Sequence, residues 1–167
     1  TLWGDMACLR SLRAALGDAR TSRIAFVDTR VRPELAYPIG GYRVLSLRSN
    51  PATDDPEETT RLYLIGDGER LLYYGCDSAW IPTTSWNAIK DQPVNAVVLE
   101  LTCGETAPDD WRSFEHNTLD MLELMLRTFR KYDRFAPDVR FYVSHMARTL
   151  HTGPDRLRER LAPLGVT

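Results

Sequence analysis

The sequence predicts a mixed α/β domain, and three observations carry that prediction. Short apolar runs alternate with longer segments whose apolar residues recur every three to four positions. The middle of the chain reads as a hairpin, two apolar runs joined by Gly66-Asp67-Gly68-Glu69. After it the order is strand, helix, strand, helix, which places helices against a sheet. With 167 residues, 43% of them hydrophobic and 26% charged, the chain is the size of one domain and buries a core without disulfides. It shows no linker and no internal repeat.

The elements follow in order. Leu2-Trp3-Gly4-Asp5 runs into Met6, Leu9, Leu12 and Leu16, whose spacing marks one helical face, and Gly17 ends that helix. Residues 24–27 form a short buried strand. Arg32-Pro33 and Tyr37-Pro38 break the chain before a turn at Gly40-Gly41. Tyr42, Val44, Leu45 and Leu47 make a second strand, and residues 50–58 form a polar, acidic, exposed loop. Residues 61–65 and 70–74 are the hairpin arms. Residues 96–101 are apolar enough for a strand covered on both faces. Asn117 and Asp120 resemble a capping pair for a helix carrying Leu122, Met125, Leu126 and Phe129. Residues 139–143 form another strand. Thr152-Gly153-Pro154-Asp155 then caps a final helix, with the proline in its tolerated first turn.

Composition excludes several function classes. Lys+Arg 21 against Asp+Glu 23 gives a net charge of -2, so there is no basic footprint for nucleic acid. No apolar run reaches the roughly 18–20 residues of a membrane-spanning helix, and no cationic start precedes an apolar stretch, so neither a membrane span nor a leader is expected. Cys8, Cys76 and Cys103 are few, odd in number and far apart, which fits a reducing, cytoplasmic setting.

Chemistry gathers where strands end. Asp77 follows the second hairpin arm, Glu100 and Cys103 end the next strand, and His145 follows Phe141-Tyr142-Val143-Ser144. Ligands of open α/β sheets collect at such carboxyl ends. A carboxylate and an imidazole delivered there can ligate a divalent cation. His116 precedes a helix start, a place that favours negative charge. Each residue also has a plainer reading: Asp77 as a turn former, His145 as a structural histidine, and His151 as an exposed residue before a cap. Cys76 and Cys103 read as small packed side chains, and Trp80 and Trp86 as pocket walls or core.

The residues also resemble a known family. The run from Asp67 to Ser78, with Leu71-Leu72-Tyr73-Tyr74-Gly75-Cys76-Asp77, resembles the strand of the metallo-β-lactamase superfamily that delivers a metal-bridging aspartate. Asn95-Ala96-Val97-Val98-Leu99-Glu100 is similar to the family strand that follows. Glu115-His116-Asn117-Thr118 resembles the histidine element before a helix in the ribonuclease Z and phosphodiesterase branches, and Tyr142-Val143-Ser144-His145 the strand that ends in the last metal-binding histidine. The match covers residues 40–165 and is nearest the phosphodiesterase-like branch.

The resemblance implies a four-layer αββα sandwich, with a mixed sheet and flanking helices. It implies a hydrolase using two divalent ions, zinc or manganese, on a small-molecule or nucleotide-like phosphodiester. Asp77 would bridge the ions, His145 would ligate one, and His116 would act as general acid or touch the phosphate. Trp80 and His151 stand as substrate-binding candidates.

The family's His-x-His-x-Asp-His signature is absent, since no histidine precedes His116. Where the family expects another histidine the chain reads Arg48-Ser49-Asn50-Pro51-Ala52-Thr53-Asp54, with Asn50 or Asp54 as the available substitutes. Residues 1–167 are therefore expected to be one incomplete domain, the later part of such a hydrolase, weak alone. It is expected to form a homodimer or to need an amino-terminal segment. The alternatives are an inactive binding or assembly module of the same fold, and an unrelated α/β binding domain.

Overall fold

The structure, a computed structural model, describes residues 1–28, 35–50, 57–105, 110–131, 135–151 and 153–166. Its elements are β1 Leu2–Gly4, α1 Met6–Leu16, α2 Asp18–Thr21, β2 Phe26–Asp28, β3 Ala36–Ile39, β4 Tyr42–Arg48, β5 Arg61–Gly66 and β6 Leu71–Gly75. They continue with α3 Thr83–Ile89, β7 Ala96–Glu100, α4 Leu119–Lys131, β8 Arg140–Ser144 and α5 Pro154–Leu161. Short 3-10 turns span Trp111–Phe114 and Ala162–Leu164. Arg32-Pro33, Asp54 and Thr152 lie outside the described residues.

Strands β3 to β8 form one six-stranded sheet in sequence order. It is antiparallel through β6 and parallel from β6 to β8. Its register lines up Leu45, Leu64, Tyr73, Val97 and Phe141 as successive partners across the sheet. That apolar row faces Ile89 of α3 and Leu122, Met125, Leu126 and Phe129 of α4 in one buried cluster. Phe129 is its hub, with ring centroids 5.6 Å from Trp86, 5.5 Å from Phe135 and 6.2 Å from Phe141.

The opposite pleat carries Arg61 and Tyr63, and here the parallel pair β1–β2 approaches, with α1 packed on it. Trp3 meets Tyr37 edge-on at 6.3 Å. Asp5 caps α1, accepting from the Cys8 amide at 2.8 Å, and also takes the Arg61 guanidinium at 3.1 Å. The six-stranded mixed sheet thus carries α3 and α4 on one face and the β1–β2 pair with α1 on the other, in keeping with the αββα expectation.

Several elements differ from the sequence reading, each for a physical reason. Tyr37-Pro38 lies within β3 instead of breaking the chain, because β3 is an edge strand, where a missing N–H is tolerated. Residues 2–4 are a strand, and residues 83–89, to which the sequence reading assigns no element, are the helix α3. Thr118, not Asn117, caps α4, its hydroxyl accepting from the Met121 amide at 3.3 Å. Asn117 is buried and held elsewhere. The final helix starts at Pro154 behind Gly153 with no side-chain cap. No helix of the described residues is long and apolar enough to cross a membrane.

Two outcomes follow. Phe129, only 2% exposed, should lose about 3–5 kcal/mol of unfolding free energy on replacement by alanine, read from urea denaturation. Burial raises the Asp5 carboxyl, but the Cys8 and Thr59 amides and the Arg61 guanidinium outweigh it, so the net shift is below the ordinary value. Its contribution is therefore complete above the unfolded value of about 3.9 and is lost as pH falls through the lower folded value. Asp5→Asn should flatten that acid limb of the stability–pH curve.

Candidate metal centre

Strands β4, β6, β7 and β8 run in one direction, so their carboxyl ends share one edge of the sheet. At β6 the chain turns through Gly75, where a Cβ would lie 2.7 Å from the Tyr73 ring. Only glycine lets that ring pack and releases Cys76-Asp77 at the rim. Asp77 and His145 have φ of 58° and 53°, and among the described residues they are the only non-glycine positions with positive φ. Such strain persists where the surroundings over-determine it and clusters at functional sites. Ser49 helps hold it, its hydroxyl donating to the Asp77 carbonyl at 2.9 Å. His116 arrives from the 3-10 turn, its amide bonded to the Arg112 carbonyl at 2.8 Å.

These three side chains converge. The His116 Nδ1 lies 3.8 Å from the Asp77 Oδ1, and the His145 Nε2 lies 4.0 Å from the same oxygen. One donor atom from each falls within 4.8 Å of the others. The imidazole planes are stacked, with centroids 5.8 Å apart.

Beneath them sits Glu100, wholly buried. Its Oε1 accepts from the Asn117 amide; its Oε2 accepts from the Thr102 amide at 3.0 Å and from the Thr102 hydroxyl. The same Oε2 lies 3.4 Å from the His116 Nδ1 and 3.7 Å from the His145 Nδ1. The Asn117 side-chain amide donates to the Ser78 and Glu100 carbonyls, at 3.2 and 3.3 Å, tying the ends of β6 and β7 to the start of α4. Cys76 and Cys103 are buried, and burial pushes both thiols up, away from nucleophilic use.

No protein-family model and no curated protein matches the chain in sequence. Solved structures do match. YhfI of Bacillus subtilis, a metallo-beta-lactamase fold protein, aligns with a TM-score of 0.65 and 16% identity over 97% of this chain. Zn(2+)-bound PqqB of Methylobacterium extorquens aligns with a TM-score of 0.61 and 13% identity over 99% of it. Unliganded yeast PDE1 aligns with a TM-score of 0.61 and 12% identity over 87%.

The chain carries the metallo-β-lactamase fold.

It spans only 57%, 61% and 46% of the YhfI, PqqB and PDE1 chains. Within this metallo-β-lactamase fold the donor set suits one divalent ion. Nitrogen and oxygen ligands at about 2.0–2.2 Å around a tetrahedral ion stand roughly 3.4 Å apart, close to the 3.8 and 4.0 Å found here. The buried His116 Nδ1, without a hydrogen-bond partner, fits the same need. Among the described residues this is the only such group of histidine, cysteine and carboxylate donors.

The other candidates stand apart from it. Asn50 is occupied by the Trp80 carbonyl. The Trp80 side chain lines a 140 Å³ cleft with Ile81, Thr83, Trp86, Met125 and Phe129. The His151 ring lies against Gly104, where a Cβ would sit 2.7 Å from its Nδ1, and both ring nitrogens lack a partner. Neither residue joins the Asp77 cluster.

Thr102, Asn117 and Ser49 were not legible as site residues. Glu100 had one signal, a carboxylate closing an otherwise apolar strand.

The strain at Asp77 gives a direct test. Glycine adopts that backbone freely, and the Asp77 side chain is 57% exposed. Asp77→Gly should keep thermal stability within about 1 kcal/mol of the parent or raise it, while abolishing divalent-ion binding in a calorimetric titration.

Proposed function

We propose that this fold serves a metal-dependent hydrolase that cleaves a small-molecule or nucleotide-like phosphodiester. The observation that carries the reading is the convergence of Asp77, His116 and His145 at the carboxyl edge of the sheet. Asp77 and His145 would hold zinc or manganese, and in the complete site Asp77 would be shared between two ions whose remaining ligands come from an amino-terminal segment. A divalent ion there supplies Lewis acidity toward a water and a phosphoryl oxygen.

His116 has a different task in this reading. Its Nδ1 is nearer the Glu100 carboxylate, at 3.4 Å, than Asp77, at 3.8 Å. Set beside Glu100, Nδ1 would orient the ring so that its other nitrogen serves as proton donor to the departing alcohol, in place of the ligand role that Nδ1 could otherwise fill.

A second reading, a binding or assembly module without catalysis, has one observation in its favour. Ser49 and Asn50 stand where the family resemblance expects a histidine, and both are engaged with backbone carbonyls. The two readings separate on the natural full-length polypeptide. The hydrolase reading expects bound zinc or manganese and turnover of bis(p-nitrophenyl) phosphate. His116→Ala should then lower kcat by about 10²–10⁴ with metal content unchanged. Loss of the metal in that variant would make His116 a ligand, and a metal-free, inactive natural protein would leave the module.

A further inference from the structure

Thr102 is the residue whose hydroxyl touches the most of this site. Its Oγ1 lies 2.8 Å from the His145 Nδ1 and 2.8 Å from the His145 carbonyl oxygen, and it is in close contact with the Glu100 Oε2. Its amide donates to that same Oε2 at 3.0 Å, which fixes where the side chain stands. The preceding amide, of Leu101, donates to the Ser144 carbonyl at 3.1 Å, so β7 and β8 are still tied together one residue before Thr102.

Counting protons decides the arrangement. A threonine hydroxyl has one proton, and two of its three neighbours, the Glu100 carboxylate oxygen and the His145 carbonyl, can only accept. If the hydroxyl proton went to the His145 Nδ1, Oγ1 would face two acceptor oxygens with nothing between them. If it goes to either oxygen, the third contact is a hydrogen bond only when the Nδ1 carries the proton and donates to Oγ1. The carboxylate is the stronger acceptor. The best-satisfied arrangement is therefore a chain from His145 Nδ1–H to Thr102 Oγ1–H to Glu100.

We infer that Thr102 is a positioning residue that holds His145 as its Nδ1–H tautomer, so that the Nε2 lone pair faces Asp77 Oδ1, 4.0 Å away. An imidazole that keeps its proton on Nε2 cannot ligate through that atom. The hydroxyl thus prepares the histidine without touching an ion, in the way outer-shell partners fix ligand tautomers. Its use as ligand preparation rests on the metal reading above; the tautomer itself does not.

The test reads the tautomer directly. Long-range ¹H–¹⁵N correlation of the His145 ring, in metal-free protein at about pH 8, above the ordinary histidine range, distinguishes the protonated nitrogen from the bare one. The parent should show Nδ1–H. Thr102→Val, which keeps the shape and removes the hydroxyl, should move the proton to Nε2 and weaken zinc binding roughly 10–100-fold. Thr102→Ser should restore both properties, which a packing role would not predict.

A parent already in the Nε2–H form overturns the inference, and that spectrum needs no variant to fold. A folded Thr102→Val with an unchanged tautomer overturns it as well. If the tautomer moves as expected but even the parent binds no zinc, the threonine assignment stands and the metal reading fails.

Discussion

The carboxylate of Glu100 is the constraint around which this edge of the molecule is organised. It is the one charged side chain among the described residues that is fully buried. A carboxylate removed from water is tolerated only when its oxygens are hydrogen-bonded or paired. That need explains why Asn117 is buried just outside α4, why Thr102 turns its amide and hydroxyl back on the strand it follows, and why two imidazoles stand above one oxygen. The parallel register of β6, β7 and β8 brings these groups together, because parallel strands end on the same side. Replacing Glu100 by an apolar residue would remove the reason for the arrangement, not merely one contact.

The strain at the rim belongs to the same organisation. Asp77 and His145 adopt left-handed backbone at the ends of β6 and β8, the two strands flanking the one that carries Glu100. Each is braced by a hydroxyl from another part of the chain, Asp77 by Ser49 donating to its carbonyl and His145 by Thr102 accepting from its ring. A sheet that needed only to fold would place glycine or asparagine at such turns. Glycine would adopt that backbone without cost, so an aspartate and a histidine at these two turns are best understood through what their side chains do.

Much of this fold was legible in the sequence because it rests on local signals. The hairpin, the apolar β7 run and the spacing of α4 all state their structure within a dozen residues, and β5, β6, β7 and α4 stand where those signals place them. What was not legible depends on partners distant in sequence. Pro38 reads as a breaker until β4 makes β3 an edge strand. Asn117 reads as a cap until Glu100, 17 residues earlier, claims its amide. Asp77, His116 and His145 could be singled out as candidates because their residue types carry the chemistry. Ser49 and Thr102 could not, since hydroxyls are common and their roles here are set by contacts 28 and 43 residues away.

The exposure of the cluster bears on which use of an ion suits it. Glu100 is closed off from water, yet Asp77 is 57% and His145 45% exposed, so the donors are backed by protein on one side and open to solvent on the other. Structural ions are enclosed by four protein ligands, whereas catalytic ones keep a position for water or substrate. In the proposed hydrolase, Asp77 and His145 on this open rim, both on strained backbone and the histidine braced by a hydroxyl–carboxylate chain, would suit the second pattern. An ion serving stability alone would gain nothing from the strain or the opening. The same geometry would leave an ion held only by these residues readily exchanged, which is why the proposed activity depends on further ligands and why the tautomer of His145 matters to how firmly the first ion is held.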